Sequence, residues 1–147
     1  MESLKTFLGL KGHVPDELDK TLNEFEIICH LRHCVVHRFG KLGSSNAMKF
    51  GLDNHSNCLD KPISLDTDKL YDVNQICVNT VLVLNDYIFR RVLTRTTEPD
   101  YLLWEWDFRK DKKEFTKYYD LFNSTLKPYF GADLKLAYDK LKEFKLS

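Results

Sequence analysis

Apolar residues in the first third of the chain recur at the three- and four-residue steps of an amphipathic helix. Residues 15–17, a proline followed by two acids, are residue types that favour a helix start. Gly40 and Gly43 favour its end. The apolar positions between them are Leu18, Leu22, Phe25, Cys29 and Val36. The pattern predicts a first helix from Pro15 up to these glycines, with Arg32 at a position where the period calls for an apolar side chain.

A second and longer helix is predicted after residues 65–68, Leu-Asp-Thr-Asp, which offer a helix start. Its buried stripe extends over roughly six turns and consists of Leu70, Val73, Ile76, Cys77, Thr80, Val81, Leu84, Ile88 and Val92. Residues 78–84 contain the β-branched residues typical of a strand, but the helical period on both sides favours a helix. Before this helix, residues 40–65 are rich in Gly, Ser, Asn and Asp, and predict a loop with a short helical turn around residues 47–50.

Two further helices are predicted in the last third of the chain, after a break at residues 94–99. The third helix runs from about Asp100 to residues 127–128, Lys-Pro, because the residue before a proline avoids the helical region. Its apolar positions are Leu103, Trp104, Phe108, Phe115, Tyr118, Tyr119 and Phe122. The fourth helix covers about Ala132 to Phe144. One of its faces carries Leu134, Ala137, Tyr138, Leu141 and Phe144.

These segments predict an all-α fold, a helical bundle of about four main helices. The chain has 147 residues, 43% of them hydrophobic, which is enough to bury one sizeable core, and its length favours a single domain over residues 1–147. The last two helices, within residues 98–147, either complete this bundle or form a C-terminal α-hairpin subdomain. Periodicity leaves both arrangements open.

Charge and cysteine content narrow the class of protein. Lysine plus arginine equals aspartate plus glutamate at 22 each, so any site for a polyanion must be a local patch. The cysteines form no CxxC pair and are expected to be free thiols: Cys29, Cys34, Cys58 and Cys77. The sequence shows no signal-peptide pattern, and its longest apolar run, around Val81 to Leu84, is too short to cross a bilayer. We therefore expect a cytoplasmic protein.

The candidate chemistry lies near the end of the first helix, in residues 32–37, Arg-His-Cys-Val-Val-His. Arg32 is a fixed cation and His37 is of the residue type that titrates near neutral pH, and these are the parts needed to cleave RNA without a metal. On an apolar stripe, Arg32 must be paired or face a partner, because a buried unpaired charge is costly. Arg38 and Lys41 follow within a few residues and add positive charge.

This motif resembles that of the HEPN domains (higher eukaryotes and prokaryotes nucleotide-binding), an all-helical family that includes many metal-independent endoribonucleases. The family motif is an arginine, usually followed by Asn, His or Asp, then three variable residues and a histidine. Residues 32–37 fit it at every defined place. The run over residues 31–42 is also similar to HEPN versions of bacterial toxin and phage-defence proteins. The resemblance implies a toxin or antiviral setting, with a neutralising antitoxin or a regulatory domain as a partner.

The resemblance further implies that two copies of the motif meet across a homodimer and form a composite cleft that binds RNA. Helix geometry agrees, because Arg32 and His37 point about 140° from each other on a straight helix. A facing helix from a second subunit would bring the two side chains together. A distortion of the last turn before Gly40 would have the same effect.

The family resemblance also implies a role for each residue. His37 would act as general base or acid on the ribose 2′-hydroxyl or the departing 5′-oxygen, while Arg32 would hold the phosphate and stabilise its charge. The products would be a 2′,3′-cyclic phosphate and a 5′-hydroxyl. His33, in the family's polar position, would orient the pair, and Arg38 and Lys41 would bind the RNA backbone. No metal or other cofactor is implied. Other family members act without catalysis as nucleotide-binding, regulatory or dimerisation modules.

A zinc site is a second hypothesis for the same helix. Four residues of suitable type share one face: His30, His33, Cys34 and His37. Four ligands from one straight helix cannot close a tetrahedron. The i, i+4 pair of His33 and His37 would need completion by His55, Cys58 or a second subunit.

A helical interaction module without catalysis is the third hypothesis. Several aromatic residues lie near charged runs such as residues 109–113, as in a partner-binding surface: Trp104, Trp106, Tyr118 and Tyr119. Their helical spacing is more typical of a core. The sequence contains no GxxxxGK[ST] or GxGxxG phosphate loop, and Ser44 and Ser45 lack the context of a nucleophile elbow, so nucleotide-dependent enzymes and serine hydrolases have little support.

Overall fold

The computed structural model describes residues 14–123 and 133–146. Within these ranges the chain is helical and contains no β-strand element, which confirms the predicted all-α fold with four long helices. The chain groups into two compact units, one up to Val83 and one from Leu84 onward. The single domain over residues 1–147 stays a prediction.

The helices of the described ranges follow one another with short connections. The long ones are α1 (Asp16–His37), α4 (Thr67–Arg95), α5 (Phe108–Phe122) and α6 (Leu134–Leu146), and the short ones are α2 (Ser44–Lys49) and α3 (Leu52–His55). Two 3₁₀ turns cover Ser56–Cys58 and Pro99–Tyr101. None of the described helices has both the length and the apolar character needed to cross a membrane.

In the N-terminal unit, the two ends of helix α1 bury different faces. Leu18 and Leu22 are buried near its start, and Cys34 is buried near its end. At about 100° per residue, Cys34 lies about 120° around the helix axis from Leu22. Val36 and Arg32 therefore face solvent, and the prediction of one apolar stripe that includes them is wrong for the second half of the helix.

The buried face changes because the segment after the helix packs against Cys34. Cys34 packs with Leu42 and Ala47, the latter from helix α2, in a small core under the loop. Backbone hydrogen bonds close the loop on itself, from Ile63 N–H to the Gly40 carbonyl at 2.7 Å and between Leu42 and residues 60–61. The predicted loop with a short helical turn is thus more ordered than its composition indicates, since residues 44–49 and 52–55 are helical.

Helix α4 contributes to both units, its first part to one and its last part to the other. Thr80, Phe89 and Leu93 are buried side chains of this helix. Leu70 and Val81, which the periodicity placed on the buried stripe, are 53% and 65% exposed, so the predicted stripe is wrong at these positions.

The C-terminal unit has an aromatic core. Its buried members come from helices α4, α5 and α6 and from the segment before α5: Phe89, Leu93, Trp104, Phe115, Tyr119, Tyr138 and Leu141. The Phe115 ring meets Trp104 and Tyr138 edge to face, with centroids 5.7 Å and 5.3 Å away. Trp104 and Tyr119 are therefore core residues, and Trp106 and Tyr118 pack against the same core, which argues against these aromatics as a partner-binding surface.

Helix α5 begins at Phe108, later than the predicted start at Asp100, because its first turn is capped there. The Asp107 side chain accepts a hydrogen bond from the Arg109 backbone N–H at 2.9 Å. Before this cap, Trp104 lies outside the helix, and its indole N–H donates to Thr96 at 2.8 Å. The helix ends at Phe122, earlier than the predicted end at Lys-Pro, and residues 127–128 lie outside the described ranges.

A buried polar pair joins helices α5 and α6. The Tyr138 hydroxyl donates a hydrogen bond to the Asp111 carboxylate, whose other oxygen accepts from the Glu105 backbone N–H at 3.1 Å. Burial raises the pKa of the Tyr138 hydroxyl, and the hydrogen bond to Asp111 raises it further. The hydroxyl is protonated at physiological pH and donates to Asp111, so this hydrogen bond links the two helices.

Candidate functional site

The predicted catalytic residues lie in the last two turns of helix α1, and all three are exposed: Arg32, His33 and His37. The helix continues as far as His37. The imidazole rings of His33 and His37 are neighbours, with centroids 4.7 Å apart and planes tilted by 45°. Arg32 projects from another side of the helix by the geometry of about 100° per residue. The structure thus brings the two histidines together and leaves Arg32 apart from His37 within one chain.

The Arg32 guanidinium makes no hydrogen bond or ion pair with any residue of the described ranges. The expectation that Arg32 lies on a buried apolar stripe is wrong, since this part of the helix buries the face that carries Cys34. A solvated guanidinium needs no internal partner and is free to bind an anion.

Beneath the exposed face, hydrogen bonds to the buried Asn46 anchor the end of helix α1. Cys34 is fully buried, and its sulfur accepts a hydrogen bond from the Asn46 side-chain amide at 3.1 Å. The Asn46 carbonyl oxygen lies 3.2 Å from His30 Nδ1, and the His30 ring meets Phe50 edge to face. The variable third position of the motif and the histidine that precedes the motif are therefore structural, and they hold the last turns of the helix against helix α2.

Phe39 is a prominent residue that sequence reasoning missed. It follows helix α1 with a positive φ of 52°, and its side chain is 96% exposed. The Cys34 carbonyl accepts backbone hydrogen bonds from both Arg38 and Gly40 at 3.1 Å, and this ending imposes the left-handed conformation on the residue between them. An aromatic residue placed between basic residues and beside a glycine was the sequence signal that could have found it.

The two predicted RNA-binding residues differ in their surroundings. Arg38 forms an ion pair with Asp60 at 2.7 Å, and its side chain lies across Gly43, where a Cβ would come within 2.6 Å of it. Lys41 is exposed and forms no ion pair with any residue of the described ranges. Lys41, like Arg32, therefore carries a positive charge that no acidic side chain of the described ranges offsets.

No group of three or more His, Cys, Asp or Glu side chains gathers as a metal site within residues 14–123 and 133–146. The zinc site in which His55 or Cys58 completes the histidine pair is therefore not formed by the described part of the chain. The four cysteines are free thiols, as predicted, with Cys29 and Cys58 exposed and Cys34 buried.

Replacing Phe39 with glycine should raise the free energy of unfolding by about 1 kcal/mol, because glycine adopts a positive φ without the Cβ clash. The exposed ring contributes little packing that could be lost. Urea denaturation followed by circular dichroism measures the change. Phe39→Ala is the matched control, which keeps the Cβ and should give no gain; an equal gain in both variants would show that the backbone is not strained.

Comparisons of the chain with models of protein families, with curated proteins and with solved structures found no match. The resemblance to HEPN domains therefore depends on residues 32–37 and on the all-α setting of that motif.

Proposed function

We propose that this chain is a metal-independent endoribonuclease of the HEPN type that acts as a homodimer. The observation that carries the proposal is the exposure of Arg32, His33 and His37 on an end of helix α1 that hydrogen bonds to the buried Asn46 hold in place. Catalytic groups held by a packed scaffold and open to solvent can bind a polymer such as RNA.

A homodimer supplies what one chain lacks. Arg32 and His37 of a single chain point in different directions, and a two-fold contact between two α1 helices brings an arginine of one protomer near a histidine of the other. Val35 and Val36 are 52% and 53% exposed on the same two turns. Exposed apolar side chains beside a functional motif favour a protein contact at this position.

The chemistry follows from the residue types. The guanidinium of Arg32 donates hydrogen bonds to the oxygens of the scissile phosphate and stabilises the charge that develops on them. His37 takes the proton of the ribose 2′-hydroxyl or gives one to the departing 5′-oxygen, and His33 orients the His37 ring, its neighbour at 4.7 Å. Lys41 binds the RNA backbone by charge, and the exposed Phe39 ring stacks on an unpaired base.

The proposal is tested by incubating the purified protein with mixed RNA in excess chelator and mapping the ends of the fragments. Wild-type protein should give 2′,3′-cyclic phosphate and 5′-hydroxyl ends, and His37→Ala should fold normally and give no fragments. His55→Ala, a histidine outside the motif, is the matched control and should cleave like wild type. Full cleavage by His37→Ala, or fragments that end in a 3′-hydroxyl and a 5′-phosphate, would refute the proposal.

A non-catalytic HEPN-like dimerisation or partner-binding module is the second candidate, favoured by the exposed Val35 and Val36. It predicts a dimer that leaves RNA intact. In the first candidate, a role in a toxin or antiviral system would require a neutralising antitoxin or a regulatory domain, and a cytoplasmic location in which RNA is accessible.

A further inference from the structure

His33 and His37 form a pair of solvated imidazoles that no other described residue engages. Their ring centroids are 4.7 Å apart, and both side chains are exposed. Neither ring makes a hydrogen bond or an ion pair within the described ranges. One nitrogen of each neutral imidazole carries a free lone pair, so the two rings offer two nitrogen ligands at the surface of one helix.

Two histidines one helical turn apart provide the spacing at which a helix can donate two nitrogen ligands to one cation. Imidazole nitrogen suits zinc, copper and nickel, with zinc–nitrogen bonds of about 2.0–2.1 Å. Two such bonds to one ion at a tetrahedral angle place the nitrogens about 3.4 Å apart. The ring centres lie 4.7 Å apart, a distance at which one nitrogen of each ring can face the same ion.

We propose that His33 and His37 chelate one zinc ion on the exposed face of helix α1. His55 and Cys58 do not join the pair in the described ranges, so two water molecules complete the tetrahedral coordination of the zinc. The backbone between the two histidines is held by the buried Cys34 and its hydrogen bond from Asn46. The backbone that carries both ligands is therefore ordered before zinc binds, which lowers the entropic cost of binding.

The effect of bound zinc on RNA cleavage rests on the proposed function, whereas zinc binding itself does not. Zinc occupies the nitrogen lone pair that His37 would use to accept a proton, so zinc-bound protein has no general base at this position. A divalent cation would then act as an inhibitor of an enzyme that itself needs no metal.

Calorimetric titration of the full chain with zinc chloride tests the chelate. Wild type should bind one zinc per chain, and His33→Ala or His37→Ala should each lower the affinity by at least ~10-fold, the loss seen even when only an outer-shell partner of a metal ligand is removed. His55→Ala is the matched control and should bind like wild type. Affinity should fall as the pH is lowered, because protons compete for the same lone pairs.

Imidazole nitrogen chemical shifts give a second readout that a mere change in folding would not produce. Zinc should shift the ring resonances of both His33 and His37 and leave those of His55 in place. Unchanged affinity in both variants, or shifts confined to other histidines, would overturn the chelate. Cleavage assays distinguish the two proposals: protein that binds zinc and never cleaves RNA refutes only the nuclease, and a nuclease that ignores zinc refutes only the chelate.

Discussion

Arg32→Ala should lower the rate of RNA cleavage by about 10²–10³-fold, the loss typical of removing one group that stabilises transition-state charge. The guanidinium is exposed and, within the described ranges, unpaired, so its removal leaves the fold unchanged. Arg32→Lys keeps the charge but not the two parallel donors, and should recover only part of the rate. Single-turnover cleavage of a labelled RNA in excess chelator measures all three proteins.

Arg38→Ala is the matched control for this experiment. Arg38 follows the same helix, but Asp60 already offsets its charge at 2.7 Å, so its removal should cost far less activity than the removal of Arg32. Equal losses in the two variants would mean that cleavage responds to positive charge in general, and that Arg32 has no specific place in the reaction.

Phe115→Ala should lower the free energy of unfolding by about 3–5 kcal/mol, the range for truncating a buried aromatic side chain. Phe115 is fully buried at the centre of the C-terminal core, where its ring contacts Trp104 and Tyr138. Because the surrounding rings are large and fill the core from several helices, they cannot collapse into the space left behind. Denaturant unfolding followed by tryptophan fluorescence reports this change, since Trp104 lies in the same cluster.

Leu121→Ala on the same helix is the matched control for this truncation. Leu121 is 77% exposed, so its removal should change the free energy of unfolding by less than about 0.5 kcal/mol. A loss below ~1 kcal/mol in Phe115→Ala would mean that the aromatic cluster does not form the core of this unit.

The elements that local chemistry specifies were predictable from the sequence. The first helix starts after Pro15 and ends before Gly40, as predicted, because proline, acidic residues and glycine act on the backbone nearest to them. The start of helix α5 was not predictable from apolar spacing, since Trp104 fits a helical period but lies before the helix, where it packs in the core and donates to Thr96. Such tertiary contacts override periodicity.

The candidate site shows the same division. The motif residues could be named from the sequence, but their exposure could not be predicted. Which face of helix α1 is buried at this end depends on the packing of Cys34 against Ala47, a contact with a later helix. The ion pair between Arg38 and Asp60 joins residues that lie far apart in the sequence, so no local sequence pattern predicts it. The positive φ of Phe39 likewise depends on how the helix ends against that loop.

The placement of the sulfhydryl groups has a practical consequence for any measurement of the oligomeric state. Cys29 and Cys58 are open to solvent, whereas Cys34 is enclosed, so oxidation in air acts first at the two surface sulfurs. A disulfide between two molecules would create a covalent pair that resembles, by mass, the non-covalent two-fold assembly. Sedimentation with and without a reducing agent separates the two species. Only a dimer that persists under reduction is evidence for the two-fold assembly that would form the RNA cleft.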